Sequence, residues 1–245
     1  MDATYRDFIA QRREEILARM EAVLAESGRT LADADLIAVS KTVGVDEVLA
    51  AVDAGYRMFA ENRPQELARK LDALAQIGGL PHLRFDMIGN LQKNKVNAVL
   101  GRAELIHSIG SLHLAQAVSS RVERRMEAGE LAAAQPVLIE VNVSGEASKS
   151  GFSSDELRAA MDELRGLCGI DIRGLMTMAP QGDKTVARAC FSELRALRDE
   201  LAAASGLSLS ELSCGMSEDF EAALAEGSTL VRLGRVVFDP AFAVE

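Results

Sequence analysis

Short apolar runs alternate with longer helical patterns along almost the whole 245-residue chain, and this alternation restricts the fold more than any other feature. Strands separated by helices are typical of parallel βα units, in which each helix returns the chain to the same end of the sheet. Eight runs are predicted to be strands, at residues 36–41, 57–62, 85–89, 105–110, 137–144, 172–179, 211–215 and 230–238.

Helical patterns fill the intervals, at residues 5–27, 45–54, 64–76, 111–128, 155–166, 184–204 and 218–225. Eight strands with intervening helices in about 240 residues fit one closed (β/α)8 TIM barrel. A doubly wound open sheet is the alternative, but its first turn is usually glycine-rich, and the turn Lys41-Thr42-Val43-Gly44 is not. We therefore predict an α/β protein with one domain overall, in which residues 1–30 form an extra helix packed on a barrel of residues 31–245.

Composition and charge disfavour two classes of partner. The chain is 48% hydrophobic and 26% charged, no run reaches the roughly 18 apolar residues of a membrane span, and the N-terminal segment has no apolar signal core. We therefore expect a cytoplasmic protein without a membrane partner. The net charge of −10, from 27 basic and 37 acidic residues, disfavours nucleic acid as a partner, because phosphate contacts need a basic surface.

The cysteines and histidines show no metal-binding pattern. Cys168, Cys190 and Cys214 are far apart and are predicted to be reduced core thiols. His107 and His113 could act as ligands, but the sequence offers no third ligand beside them. We therefore expect no metal.

Lys41 ends the first predicted strand, at the barrel end where TIM-barrel chemistry gathers. Only six of the 27 basic residues are lysines. A lysine amine can lose its proton and attack an aldehyde, whereas a guanidinium stays protonated. The alternative is a lysine whose charged end simply reaches solvent at a strand end. Asn62 ends the next strand, and either caps the following helix or faces the same pocket.

Two segments near strands seven and eight could bind an anion. Residues 213–219 run from a strand end into a helix, where amide groups and the Ser217 hydroxyl could hold a phosphate, although the same pattern also fits an ordinary helix cap. Arg232 is a charge within an apolar strand and needs a partner, either Glu140 or Glu61 in an ion pair or a ligand in the pocket. Gly234, which has no side chain, would let the backbone approach a ligand closely.

Together these residues resemble the pyridoxal phosphate homeostasis protein family, single-domain relatives of the alanine racemase barrel. The resemblance extends from about Leu36 to Phe238 and rests on seven ordered motifs. The motifs are Ala38-Val39-Ser40-Lys41-Thr42, Glu61-Asn62-Arg63 with Gln65-Glu66, Ile88-Gly89-Asn90-Leu91-Gln92-Lys93-Asn94-Lys95, Val141-Asn142 with Lys149-Ser150-Gly151, Arg173-Gly174-Leu175-Met176-Thr177-Met178, Gly215-Met216-Ser217 with Asp219, and Gly227-Ser228-Thr229-Leu230-Val231-Arg232-Leu233-Gly234.

The resemblance implies a fold-type III barrel that binds pyridoxal 5′-phosphate (PLP), with Lys41 as the Schiff-base lysine. It implies that Arg232 faces the pyridine nitrogen and that the phosphate lies against Ser217 and the amides around Met216, Gly234 and Arg235. The sequence departs from the family pattern at three positions, Asp86, Ala60 and Asp239, and these departures put local loop details in doubt.

The resemblance further implies binding without turnover. The related racemases take a second base from a tyrosine of a C-terminal domain, for which the chain leaves no room after the last strand, and its only tyrosines are Tyr5 and Tyr56. Met178 stands where the racemase pattern has a histidine. We therefore expect a non-catalytic monomer that maintains PLP supply and delivers PLP to apo-enzymes. The alternatives are a PLP-dependent amino-acid racemase or lyase, and a barrel that binds another phosphate ester without a Schiff base.

Overall fold

Eight parallel strands close into a barrel in which each strand neighbours the next one along the chain. The computed structural model describes residues 2–146 and 149–243, so residues 1, 147–148 and 244–245 of the predicted ranges lie outside it. β1 pairs with both β2 and β8, which closes the barrel and confirms the predicted fold. The strands are β1 Asp35–Val39, β2 Met58–Glu61, β3 Arg84–Met87, β4 Ile106–Ile109, β5 Gln135–Glu140, β6 Ile170–Met176, β7 Glu211–Ser213 and β8 Leu230–Leu233.

Helices surround the barrel and connect its strands. Between β3 and β4 the connection is a 3-10 helix, Lys93–Ala98. The α-helices are α1 Ala3–Glu26, α2 Val45–Asp53, α3 Pro64–Ile77, α4 Leu112–Glu127, α5 Ser154–Arg165, α6 Lys184–Ser205, α7 Phe220–Ala225 and α8 Arg235–Phe238. In the part of the chain that the structure describes, no helix is both long and apolar enough to span a membrane.

The strands divide the apolar side chains between two layers. Ala38 packs in the large core between barrel and helices, whereas its neighbours Ile37 and Val39 pack in a smaller cluster. That cluster also contains Ala60, Leu138 and residues of β6 and β8. This alternation places the smaller cluster inside the barrel, since successive side chains of a strand point to opposite faces.

Helix α1 packs against α2, α7 and α8 and buries Ile9 and Ile16. Two of its polar side chains hold the C-terminal segment. The Arg12 guanidinium donates to the carbonyl oxygens of Val236 and Phe242 at 3.0 and 3.1 Å. The Tyr5 hydroxyl donates to the Phe238 carbonyl at 2.9 Å. The helix that precedes the barrel therefore fixes the position of α8, which follows the last strand.

All eight predicted strands extend past the observed strand ends, and the last prediction is wrong in part. β8 ends at Leu233, and the residues predicted to continue it form α8, in which Val237 and Phe238 donate backbone hydrogen bonds to Gly234. The three residues Val236, Val237 and Phe238 are all buried. A short, fully buried apolar run has no periodicity that distinguishes a strand from a helix, which explains the error.

Candidate cofactor pocket

A cavity of about 520 Å³ opens at the carboxyl ends of the strands. The seven residues predicted for the site all line it, and they come from β1, β2, β7 and β8 or the turns that follow them: Lys41, Asn62, Met216, Ser217, Arg232, Gly234 and Arg235. The cavity has a further wall that the site prediction did not include, formed by residues 88–90 after β3 and residues 178, 180–184 after β6. Ile88-Gly89-Asn90 is part of one of the seven motifs, so the sequence did contain a signal for the part of this wall that follows β3.

Lys41 lies in a turn beyond β1, because that strand ends at Val39 and not at Lys41. The lysine side chain is exposed on the pocket wall, whereas the preceding residue, Ser40, is completely buried. The Ser40 hydroxyl donates to a Glu61 carboxylate oxygen at 2.6 Å. The turn therefore holds Ser40 rigidly and leaves the Lys41 amine accessible.

A buried ion pair supports this turn from behind. Lys70 of α3 is 1% exposed and Glu61 is 0% exposed, and the Lys70 ammonium donates both to the Glu61 carboxylate and to the Ser40 carbonyl. Glu61 was one of two predicted partners for Arg232, and that prediction is wrong. Lys70 takes this carboxylate because α3 packs against β2, a contact that the linear sequence does not reveal.

Asn62 lines the pocket, and the alternative role as a helix cap is wrong. The cap position of α3 belongs to Arg63, and no side chain fills it. The Asn62 backbone also lies very close to the turn that follows β3, since a Cβ added to Gly89 would lie 2.0 Å from the Asn62 carbonyl oxygen. Only glycine fits at position 89, and this contact fixes the edge of the pocket between β2 and β3.

Two turns form the wall predicted to hold the phosphate. Gly215 has a φ of +93°, and an added Cβ would lie 2.7 Å from Ala223, so glycine is required where the chain turns from β7 towards Met216 and Ser217. The Ser217 hydroxyl accepts from the Val236 amide at 3.2 Å and so joins this turn to the one after β8. The Met216 amide donates to Asp219 at 2.6 Å, so this amide already has a partner within the protein.

The space around Gly234 indicates whether the pocket could hold a bound group. An added Cβ would make only ordinary contacts, at 3.4 Å or more, with Val39, and the backbone has an ordinary negative φ of −112°. The packing of the protein itself therefore does not demand glycine at this position. A ligand against the backbone would demand it, which fits a phosphate held by the turn. Beside it, Arg235 is exposed at the rim and forms an ion pair with Glu218 at 2.5 Å.

Arg232 is 4% exposed and reaches the pocket from inside the barrel. Its guanidinium donates to the Ser213 hydroxyl at 2.5 Å and to the Thr177 carbonyl at 3.0 Å. Glu140, the other predicted partner, also lines the pocket. Burial raises the pKa of Glu140, and the charge of Arg232 partly opposes that shift. Arg232 is thus oriented by neutral acceptors.

The three residues that depart from the family pattern lie in different parts of the structure. Asp86, expected to affect a loop, lies on β3 and is completely buried against Arg84 and His107. Ala60 packs in the small interior cluster. Asp239 follows α8 and accepts from the Ala241 amide at 2.9 Å. The first departure therefore changes the barrel interior, and the interpretation that all three concern loops is wrong.

Comparison with known proteins agrees with this geometry. The family model described as the alanine racemase N-terminal domain matches residues 16–240. A pyridoxal phosphate homeostasis protein of Aquifex aeolicus is 35% identical over 93% of this chain and 96% of its own length. Another, from Pseudomonas aeruginosa, is 37% identical over 94% of each chain. The chain belongs to the pyridoxal phosphate homeostasis protein family.

Solved structures show the same architecture. PipY of Synechococcus elongatus, solved with PLP bound, is 32% identical and superposes with a TM-score of 0.79 over 94% of this chain and 99% of its own. An alanine racemase from Corynebacterium glutamicum is only 17% identical, and its TM-score of 0.68 over 98% of this chain shows a shared fold. This chain covers 63% of that racemase.

Proposed function

We propose that this protein binds PLP in the pocket, with the Lys41 amine bonded covalently to the cofactor aldehyde, and that binding serves PLP homeostasis. The observation that carries the proposal is the placement of an exposed lysine amine in one cavity with the Ser217 and Gly234 turns and with buried Arg232. A cavity of about 520 Å³ is within the range of small-molecule sites.

Each pocket residue has a distinct role in this proposal. Lys41 supplies the nucleophilic amine, Ser217 and the Gly234–Arg235 turn hold the phosphate, and Asn62 lines the wall beside the lysine. The Arg232 guanidinium can donate hydrogen bonds but cannot accept them. It would therefore donate to the pyridine nitrogen and keep that atom unprotonated. Bound PLP supplies an aldehyde and an electron-accepting ring, and an unprotonated ring nitrogen weakens the second property.

The relatives support homeostasis over catalysis. The curated relatives are named pyridoxal phosphate homeostasis proteins, and PipY was solved both with and without PLP. Neither tyrosine reaches the pocket, since Tyr5 bonds to Phe238 in the α1–α8 contact and Tyr56 is 2% exposed. Burial raises the pKa of Tyr5 to about 12, which makes this residue still less suited to move protons at neutral pH. Met178 lines the pocket with a thioether, which is not a proton donor.

We also propose that the protein acts as a cytoplasmic monomer that delivers PLP to apo-enzymes. The exposed position of Lys41 supports this role, because water or an incoming amine can reach the atom that holds the cofactor. A mass of one chain in solution is the expected result of light scattering. Purified protein loaded with PLP should restore the activity of an apo-aminotransferase faster than does free PLP at the concentration that dissociates from the loaded protein.

The direct test is to add PLP, reduce with borohydride and map the modified peptide. Wild-type protein should show a visible absorbance band that reduction removes, with the adduct on Lys41. Lys41→Met should lose the band, while Lys184→Met should keep it and serves as the matched control, because Lys184 also lines the pocket. An adduct scattered over Lys149 and Lys184 would contradict the proposal.

Two further results would favour the alternatives. Steady-state conversion of L- to D-alanine by the wild-type protein would indicate a racemase. Phosphate-ester binding that Lys41→Met leaves unchanged would indicate a barrel without covalent attachment. We expect neither, because the pocket lacks a tyrosine base and because the lysine lies on its wall.

A further inference from the structure

A chain of buried polar side chains crosses the barrel interior and ends at the pocket. It joins β3, β4, β7 and β8 through Asp86, His107, Ser213 and Arg232, of which the first three are 0% exposed and the last is 4% exposed. His107 Nε2 lies 3.1 Å from Asp86 Oδ2, His107 Nδ1 lies 2.8 Å from Ser213 Oγ, and Arg232 donates to the same Oγ at 2.5 Å. In the sequence, His107 stands out only as a candidate metal ligand without a third ligand beside it and His113.

The chemistry of the end groups fixes the direction of every hydrogen bond. A guanidinium can only donate, so Ser213 Oγ accepts from Arg232 and its own proton is free to point elsewhere. His107 Nδ1 is the group in reach of that proton and must accept it with a lone pair. The ring proton then lies on Nε2, which donates to the Asp86 carboxylate. This arrangement gives each hydrogen bond of the chain one donor and one acceptor, whereas the other neutral tautomer would set a lone pair of His107 Nε2 against a lone pair of Asp86.

The surroundings keep the His107 ring neutral. Arg84 of β3 already donates to both oxygens of Asp86, at 2.9 and 2.8 Å, so this carboxylate has a cation of its own. The positive charges of Arg84 on one side and Arg232 on the other both oppose protonation of the His107 ring. Burial lowers the pKa of His107 more than Asp86 raises it.

We infer that His107 and Ser213 are positioning residues for Arg232. Neutral His107 holds the Ser213 proton, so a lone pair of Ser213 stays turned towards Arg232. Ser213 and Thr177 together use two of the five guanidinium donors and leave three for the rest of the site. This inference rests on the proposed PLP function, because the oriented guanidinium matters only if a ligand lies in the pocket.

The tautomer can be measured without PLP. Long-range ¹H–¹⁵N correlation spectra of the histidine-labelled protein at about pH 7, assigned by comparison with His107→Gln, should show a neutral His107 ring with its proton on Nε2. A proton on Nδ1, or a charged ring, would overturn the inference. The tautomer is read in the wild-type protein, and if His107→Gln does not fold, His82→Gln and His113→Gln, both at exposed positions, assign the same signal by elimination.

PLP affinity provides the second test. Ser213→Ala removes one of the two acceptors of Arg232 and should weaken PLP binding about tenfold, the size expected for one lost hydrogen bond to a charged group. Ser228→Ala is the matched control, because Ser228 is also 0% exposed but donates only to backbone carbonyls. The control should bind within about twofold of wild type, and the borohydride adduct should stay on Lys41 in both variants.

The outcomes separate this inference from the proposed function. Equal affinity losses in Ser213→Ala and Ser228→Ala would overturn the positioning role even if Lys41 carries PLP. Absence of any Lys41 adduct in the wild-type protein would overturn the proposed function, and the tautomer would then decide whether the polar chain exists as described. A tenfold loss confined to Ser213→Ala, with an Nε2–H tautomer in the wild type, is the expected combination.

Discussion

The β1–β2 side of the pocket and the β7–β8 side place their charged groups at opposite depths. On the first side Lys41 is exposed on a turn, and the ion pair of Glu61 with Lys70 is buried behind it. On the second side Arg232 is itself buried, and the ion pair of Arg235 with Glu218 lies at the exposed rim. A group that forms and releases a covalent bond needs access, whereas a group that only orients a ligand benefits from being fixed.

This comparison implies that the two sides respond differently to substitution. Stability on the β1–β2 side should depend on the buried pair and hardly at all on Lys41. On the β7–β8 side, the fold and the site share a residue, because Ser217 lines the pocket and its hydroxyl also accepts from the Val236 amide of α8.

The largest effect is expected for Lys70→Met, which leaves the Glu61 carboxylate buried without its cation. Breaking a buried ion pair by removing one partner costs about 3–5 kcal/mol of unfolding free energy. Urea denaturation measures the loss. Arg69→Met, at the adjacent position, breaks an exposed pair with Glu66 and should cost less than about 1 kcal/mol. Equal losses would contradict the contrast, and adding Glu61→Gln to Lys70→Met should recover much of the stability.

Arg12→Met should have the next largest effect, on the opposite side of the pocket. It removes two hydrogen bonds that hold the C-terminal segment and should lower the unfolding free energy by about 1–3 kcal/mol. Arg13→Met is the matched control, because Arg13 lies over the Tyr56 ring at 5.7 Å and should contribute only about 0.5–1 kcal/mol. Thermal and urea unfolding of both variants would measure the difference, and a larger loss from Arg13→Met would show that α1 does not hold α8 through Arg12.

The pH dependence of stability should reveal His107. Burial lowers its pKa in the folded state, so below about pH 6.5 the unfolded chain takes up a proton that the folded protein does not. Stability should therefore fall as the pH is lowered from about 6.5, with a slope of at most about 1.4 kcal/mol per pH unit. His107→Gln should flatten this slope, whereas His113→Gln, at an exposed position, should retain it.

Asp86 contributes in a separate range. Although burial opposes it, hydrogen bonds and charges from His107 and Arg84 hold the pKa of Asp86 below its ordinary value. Its contribution to stability is present above the ordinary value of about 3.9 and is lost only as the pH falls through the lower folded value. A slope between about pH 6.5 and 5 that survives His107→Gln would therefore contradict the assignment to His107.

The smallest effect is expected for Lys41→Met in the absence of ligand. An exposed side chain on a turn typically changes the unfolding free energy by no more than about 0.5 kcal/mol when substituted. The same variant should lose the borohydride-reducible band. A stability loss as large as that of Lys70→Met would show that Lys41 supports the fold and would remove the distinction between the two sides of the pocket.

Much of the architecture was predictable because its signals are local. The starts of β2, β7 and β8 lie within one residue of their predicted positions, and helices such as α3 and α6 begin where Pro64 and Lys184 predict. Strand ends were less predictable, since β5 stops at Glu140 although apolar residues continue. Pairing with neighbours, and not composition, decides where a strand ends.

The site was predictable in its members but not in their contacts. All seven predicted residues line one cavity, because chemistry at the strand ends of a TIM barrel must converge at one face. For Arg232 the sequence offered an ion pair with Glu140 or Glu61, or a ligand in the pocket, and within the protein its guanidinium donates to Ser213 and to the Thr177 carbonyl. A hydroxyl on a neighbouring strand carries no sequence signal that marks it as a partner.

The sequence by itself determined the barrel and the family and marked Lys41 as the candidate reactive lysine, since these depend on alternation, residue chemistry and ordered motifs within one chain. Only the tertiary structure decided that Lys70 and not Arg232 takes Glu61, and that Asp86 and His107 support Arg232 through Ser213. The physical reason is that a buried polar group must find its partner wherever barrel closure brings one within hydrogen-bonding distance. The residues brought together in this way are separated by 106 positions for His107 and Ser213, and no local pattern connects them.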